Sequence, residues 1–169
     1  YISNQSIKKI LVRNNKLRIP FNKNLAKEIT NIEISDIKRR AKYIIVDFAN
    51  GYSIVIHLGM TGNLRVSKNI KYLKHDHIIF YLSSGNVLIY NDVRRFGLIQ
   101  IYRTNESFFL LDNNGPDPFE KEANANYLFN KIKKSTASIK SILLNHKIIS
   151  GIGNIYASEI LFATNISPT

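Results

Sequence analysis

Clustered and alternating apolar positions dominate the first two-thirds of the chain. Tyr43 to Phe48 and Tyr52 to Leu58 are rich in β-branched and aromatic residues, and Ala49-Asn50-Gly51 between them predicts a hairpin. In the second run Tyr52, Ile54, Ile56 and Leu58 share one face by period two. Ile78 to Leu82 and Val87 to Tyr90 flank Ser83-Ser84-Gly85-Asn86, another hairpin, and Leu98 to Tyr102 predicts a further strand. Nearer the start, Ile10-Leu11-Val12 and Leu17-Arg18-Ile19 flank Asn14-Asn15, a tight-turn signal, and Asn24 to Ile29 reads as one short helix. Many short strands with regular turns indicate a β-sandwich or barrel.

The period changes after Gly115-Pro116-Asp117-Pro118, where two prolines stop a strand and mark a boundary. Leu128 and Ile132 are four apart, and Ile139, Ile142 and Leu143 continue at helical spacing. Ser150-Gly151-Ile152-Gly153 is a turn. It precedes a helix over Asn154 to Ala163, with Asn154 as N-cap and Ile155, Ile160, Leu161 and Phe162 as apolar positions. The division predicted is a β domain over residues 1–114 and a helical domain over residues 115–169.

Composition narrows the function classes. The 169 residues carry 24 Lys+Arg against 12 Asp+Glu, a net charge of +12, and 44% hydrophobic residues exclude a disordered tail. There is no cysteine, so these residues hold no disulfide, thiolate zinc site or cysteine nucleophile. No apolar run approaches the ~18 residues of a membrane span, and the start lacks a signal peptide's apolar stretch. A soluble intracellular protein is expected. Basic clusters at 38–42 (Lys-Arg-Arg-Ala-Lys), Arg94-Arg95 and Lys131/Lys133/Lys134 point to a polyanion, since neutralising phosphates releases counterions. Nucleic acid is favoured over an anionic membrane, because no basic helix carries a clean opposite apolar face.

Several segments could carry chemistry. Gly151-Ile152-Gly153-Asn154 before a helix can present N–H groups to a phosphate, or it can be a plain turn and cap. His75-Asp76-His77 puts both imidazoles on one face if extended. A metal there needs a third ligand that is not evident, so a phosphate contact or a structural hydrogen bond competes. Asn91-Asp92-Val93-Arg94-Arg95-Phe96-Gly97 lies between strands. It offers an arginine pair for phosphates and an aromatic for a base stack, with Asp92 able to hold one guanidinium; the plain alternative is a surface hairpin with an ion pair. In His57-Leu58-Gly59-Met60-Thr61-Gly62 the lone methionine is core filler or, between glycines, a projecting wedge.

Together these stretches resemble the formamidopyrimidine-DNA glycosylases, bacterial base-excision repair enzymes. The matching segments are Arg39-Arg40-Ala41-Lys42-Tyr43, His57 to Gly62, Lys74-His75-Asp76-His77, Asp92 to Gly97, Gly115 to Pro118, and Gly151 to Glu159, in the family's order and spacing. The resemblance implies an α+β multidomain fold: an N-terminal β-sandwich, then a helical domain with a helix–two-turn–helix motif, here incomplete. It implies excision of oxidised purines (8-oxoguanine, formamidopyrimidines) from duplex DNA by base flipping, with an N-terminal proline amine forming a Schiff base before strand cleavage. No diffusible cofactor is implied, and the partner is duplex DNA, not a membrane. The protein is expected to be a monomer in the bacterial cytoplasm, at the nucleoid.

By motif, Lys42 looks like the family lysine near the lesion phosphate, assigned to proton donation in β-elimination. Met60, Arg94 and Phe96 look like the residues that fill the gap left by the flipped base. His75, Arg95, Asn154 and Lys140 look like further DNA contacts. The chain departs from the pattern at Val93, where the family usually has proline. Nothing like the family's Pro-Glu start precedes Tyr1, and no cysteine follows Pro168 to build its zinc finger. The expectation is a piece of a longer protein that binds DNA but lacks the nucleophile. The rivals are an oxidised-pyrimidine glycosylase of the same architecture and a non-catalytic damaged-DNA-binding module.

Overall fold

The structure, a computed structural model, describes residues 2–169. The expectation about the chain's start falls at Tyr1, which lies outside the described residues. The chain divides into two compact units. One comprises residues 1–39 and 43–107, and the other residues 40–42 and 108–169.

The first unit is a β-sandwich. Its strands are β1 (Ile7–Val12), β2 (Ile34–Arg40), β3 (Tyr43–Phe48), β4 (Tyr52–His57), β5 (Gly62–Ser67), β6 (Asp76–Leu82), β7 (Val87–Asp92) and β8 (Leu98–Arg103). They form two four-stranded sheets, in the orders β1-β6-β7-β5 and β2-β3-β4-β8. Both hairpins expected from the runs at 43–58 and 78–90 form, with Ile44 opposite Ile56 and Phe80 opposite Leu88. Period two sorts the side chains. Ile54, Ile56, Ile99 and Ile101 of one sheet share a buried cluster with Ile78, Phe80, Leu88 and Tyr90 of the other. The alternate positions Ile79, Val87 and Ile89 are also buried, under Leu11 and Tyr81, so these strands read as continuous apolar runs.

Three local points differ from the sequence reading or add to it. The hairpin around Asn14-Asn15 does not form. β1 instead pairs with β6 (Leu11 opposite Ile79), and Leu17 to Ile19 is irregular. The Asn15 side chain accepts from the Phe21 N–H at 2.8 Å and donates to its carbonyl at 3.2 Å, giving the backbone an alternative to a ladder. Strands β2 and β5 escaped the pattern, β2 because five of its seven residues are exposed. The third concerns residues 93–97. They join β7 of one sheet to β8 of the other, so this segment is a crossing loop and not a surface hairpin. The short helix near Asn24 is present, as a 3₁₀ turn at Lys23–Leu25 running into α1 (Ala26–Ile29).

The second unit carries α2 (Phe109–Asp112), α3 (Ala125–Ile132), α4 (Ile139–Leu144) and α5 (Asn154–Ala163). Asn124 and Ser138 cap α3 and α4 through side-chain oxygens that accept backbone N–H groups. Leu143 of α4, Ile149 and Ile152 of the following turn, and Ala157 and Leu161 of α5 form its buried cluster. Asn154 is not the N-cap. Gly153 occupies that position, and the Asn154 side chain is left free for other partners. Of the apolar positions expected on α5 only Leu161 is buried; Ile155, Ile160 and Phe162 are exposed, and Ala157, one turn before Leu161, takes the inward place. Among the described residues no helix is long and apolar enough to cross a membrane.

Candidate nucleic-acid interface

At one end of the sandwich the β4–β5 loop (58–61) and the β7–β8 loop (93–97) are held together backbone to backbone. Gly59 has φ +63°, and a Cβ there would lie 2.7 Å from the Gly97 nitrogen and 2.8 Å from the Phe96 carbonyl carbon. Only glycine permits that approach. Between the loops lies the buried Asp92 carboxylate. It accepts from the Thr61 hydroxyl at 2.5 Å, the Gly97 N–H at 2.9 Å, the Tyr90 hydroxyl at 3.1 Å, and the Arg95 N–H. Burial pushes the Asp92 carboxyl upward, but these donors outweigh it and hold the group below its ordinary value. Burial, and then the neighbouring carboxylate, push the Tyr90 phenol well up, so it remains a donor. Asp92 therefore does not hold an arginine guanidinium, as the sequence suggests; it organises the backbone of the loop.

These loops present the wedge candidates together. Met60 is 72% and Phe96 47% exposed, unusual for such apolar side chains, and Val93 beside them is exposed too. The Arg94 guanidinium lies 4.5 Å from the Phe96 ring centroid. Arg95 is exposed and adopts φ +58°, a left-handed conformation that its N–H contact to Asp92 supports. The His75 carbonyl accepts from the Asp92 N–H at 3.1 Å, which brings His75 to the same loop.

The neighbouring residues are structural. His77 is buried, and its Nε2 lies 2.6 Å from the Asp92 carbonyl, making it the donor there. Asp76 is buried and takes both terminal nitrogens of Arg65, at 2.7 and 2.5 Å, with the Leu73 N–H and the Asn91 amide at 2.7 Å each. Burial raises the Asp76 pKa, but these donors overcome it and hold the carboxyl at about 2. His75-Asp76-His77 thus braces the loop. Among the described residues no three His, Asp or Glu side chains converge, and the chain has no cysteine, so nothing present fits the zinc that the resemblance implies.

The second unit offers a separate cationic position. Residues 40–42 turn through Ala41 at φ +53°. Arg40 donates to Glu120 at 2.5 Å and to the Gly115 carbonyl at 3.2 Å, while Glu120 also accepts the Asp117 N–H at 3.1 Å. This fixes Gly115 to Glu120 against the turn that bears Lys42. The Lys42 ammonium lies 2.9 Å from where a Cβ on Gly153 would be, beside the first turn of α5. It has no ion pair among the described residues. The N–H groups of that first turn lack intrahelical acceptors, and the Asn154 side chain is exposed among them. An ammonium beside an open helix N-terminus combines the charge and the free donors that an anion would need. Lys140 is elsewhere, on α4, along a groove with Ser158, Leu161, Phe162 and Asn165 of α5 and its exit.

Sequence reasoning missed Thr61, Tyr90 and Arg40. Nothing local in the sequence identifies Asp92 as the common acceptor of Thr61, Tyr90 and Gly97.

Comparison with known proteins bears on the family and the fold. A family model described as the formamidopyrimidine-DNA glycosylase N-terminal domain matches residues 1–99, and one described as the H2TH domain of the same enzymes matches residues 114–169. The formamidopyrimidine-DNA glycosylase of Wolbachia pipientis subsp. Culex pipiens (strain wPip) is 44% identical over 168 residues, covering 99% of this chain and 62% of its own length. That of Rickettsia felis is 43% identical, covering 96% and 59%. Among solved structures, Lactococcus lactis Fpg (MutM) with DNA containing N7-benzyl-Fapy-dG matches with TM-score 0.90 at 32% identity, over 99% of this chain and 63% of that one. The same protein with abasic-site DNA matches equally, at TM-score 0.90. The chain spans about three-fifths of the length of these relatives. With both family models matching in sequence order and an antiparallel sandwich preceding a helical region, the chain belongs to the formamidopyrimidine-DNA glycosylase family.

Proposed function

We propose that this chain is the duplex-engaging part of a bifunctional DNA glycosylase and AP lyase that removes oxidised purines, 8-oxoguanine and formamidopyrimidines, from DNA. The observation that carries the reading is the joint display of Met60, Arg94 and Phe96 on two interlocked loops. A base cannot be attacked at its sugar carbon inside the stack, so it must be extruded, at a cost of a few kcal/mol in lost stacking and pairing. Exposed apolar side chains beside a guanidinium offset that cost by replacing the missing base. Phe96 would wedge the stack, Met60 would fill the gap, and Arg94 would face the orphaned base. Arg95, on one of these loops, and His75, whose backbone is bonded to Asp92 beside it, would hold flanking phosphates.

Lys42 and Asn154 would take the lesion phosphate at the start of α5. The ammonium could also supply the proton for β-elimination, being a point charge with three donors. Lys140 would add a phosphate contact farther along. The division proposed is a β domain over 1–114 and a helix–two-turn–helix domain over 115–169, acting as a monomer in the bacterial cytoplasm at the nucleoid.

The polypeptide of these 169 residues is expected to bind duplex DNA in a salt-sensitive way with little or no base excision. The amine that the family resemblance assigns to the chemistry is not among its residues. Borohydride trapping on 8-oxoguanine DNA tests this. Binding that weakens with salt but gives no covalent adduct is expected. Efficient trapping would place a nucleophile within the 169 residues.

A further inference from the structure

We propose that Thr61 and Asp92 form a clasp that positions the wedge, so that Met60, Arg94 and Phe96 act on DNA as one rigid group. The inference rests on the wedge reading above and adds to it residues that touch no DNA. The Arg94 N–H donates to Thr61 Oγ1 at 3.0 Å, and the Thr61 hydroxyl donates in turn to Asp92 Oδ1 at 2.5 Å. One hydroxyl thus serves as acceptor and donor at once, bridging the loop that carries Met60 to the loop that carries Arg94. The other carboxylate oxygen accepts from the Gly97 N–H and the Tyr90 hydroxyl, so both ends of the 93–97 segment are fixed.

Asp92 belongs to β7, whose residues are buried throughout, so the clasp is anchored on a strand packed on both faces. The side chains themselves are only partly covered, Met60 least of all. Met60 is largely open to solvent, Phe96 is about half exposed, and the Arg94 guanidinium lies over the Phe96 ring. Their placement therefore depends on the backbone beneath. A wedge must enter a stack with little loss of its own order, and a preformed backbone reduces the entropy lost on binding.

The test compares the wild-type chain with Thr61→Val, which keeps shape but removes the hydroxyl, and Thr61→Ser, which keeps it. Binding is measured to a duplex with one abasic site and to the same duplex undamaged. A hydrogen bond to a charged group is lost in Thr61→Val, so its preference for the abasic duplex should fall about tenfold. Its affinity for undamaged duplex should stay within about twofold, and Thr61→Ser should restore the preference. Equal losses on both duplexes, or no rescue by serine, would overturn the clasp. A wild-type chain without lesion preference would instead sink the wedge reading. The clasp is then decided without DNA, by amide exchange at Arg94 and Gly97. Faster exchange in Thr61→Val, reversed in Thr61→Ser, upholds it, and unchanged exchange overturns it.

Discussion

Gly59 and Asp92 show how much of the site rests on groups that would not touch DNA. Gly59 combines a positive φ with a close approach to Gly97, so Gly59→Ala combines backbone strain with a steric clash. A stability loss of about 2–3 kcal/mol is expected in chemical denaturation. Asp76 gives a pH signature. Its carboxyl titrates at about 2 when folded against an ordinary 3.8. A lowered folded value means stability that is present above pH ~4 and lost as pH falls from there toward 2, on the order of 2 kcal/mol. Arg65→Ala should cost about 2–4 kcal/mol near neutral pH, because it leaves a buried carboxylate without its cation. The difference from wild type should shrink as the pH approaches 2, which denaturation at a series of pH values would reveal. A constant difference would mean that Arg65 acts by packing alone. The sequence marks Asp92 as chemically interesting but pairs it with an arginine. Its partners are a hydroxyl, a phenol and two backbone N–H groups, none of which charge patterning can reveal.

At the scale of elements, what could be read depended on burial. The hairpins at 43–58 and 78–90 were legible because their strands are β-branched, apolar runs and a glycine marks each turn. β2 was not, because its exposed residues carry no apolar alternation, and Leu17 to Ile19 misled, because irregular backbone can bury a leucine as well as a strand can. α5 was found with its bounds, but its inward face was misread. A helix apolar on all sides gives no period from which to choose, and a small residue, Ala157, makes the close contact. The anion site proposed at its start depends on Lys42, which approaches Gly153 from far away in sequence. Lys42→Ala should weaken duplex binding roughly tenfold at moderate salt and reduce the slope of log K against log salt by about 0.9, the signature of one lost phosphate contact. A titration over several salt concentrations measures both. An unchanged slope would remove Lys42 from the phosphate interface.

For the whole molecule, the net charge of +12 indicates a polyanion without saying which one. The fold sorts the cations by role. Arg40 and Arg65 are tied to carboxylates and maintain structure, whereas Lys42, Arg94 and Arg95 have no carboxylate partner among the described residues. The order of the two family domains was legible from the change in hydrophobic period near Gly115, and the local motifs carried the family. The central claim is that Arg94 serves the gap in a damaged duplex and is not simply one more cation. Kd values of wild type and Arg94→Ala for abasic and undamaged duplexes, at one salt concentration, test it most directly. Loss of at least about tenfold on the abasic duplex, against about twofold on the undamaged one, is the expected result. Equal losses on both duplexes would contradict the account and leave Arg94 as an ordinary phosphate contact.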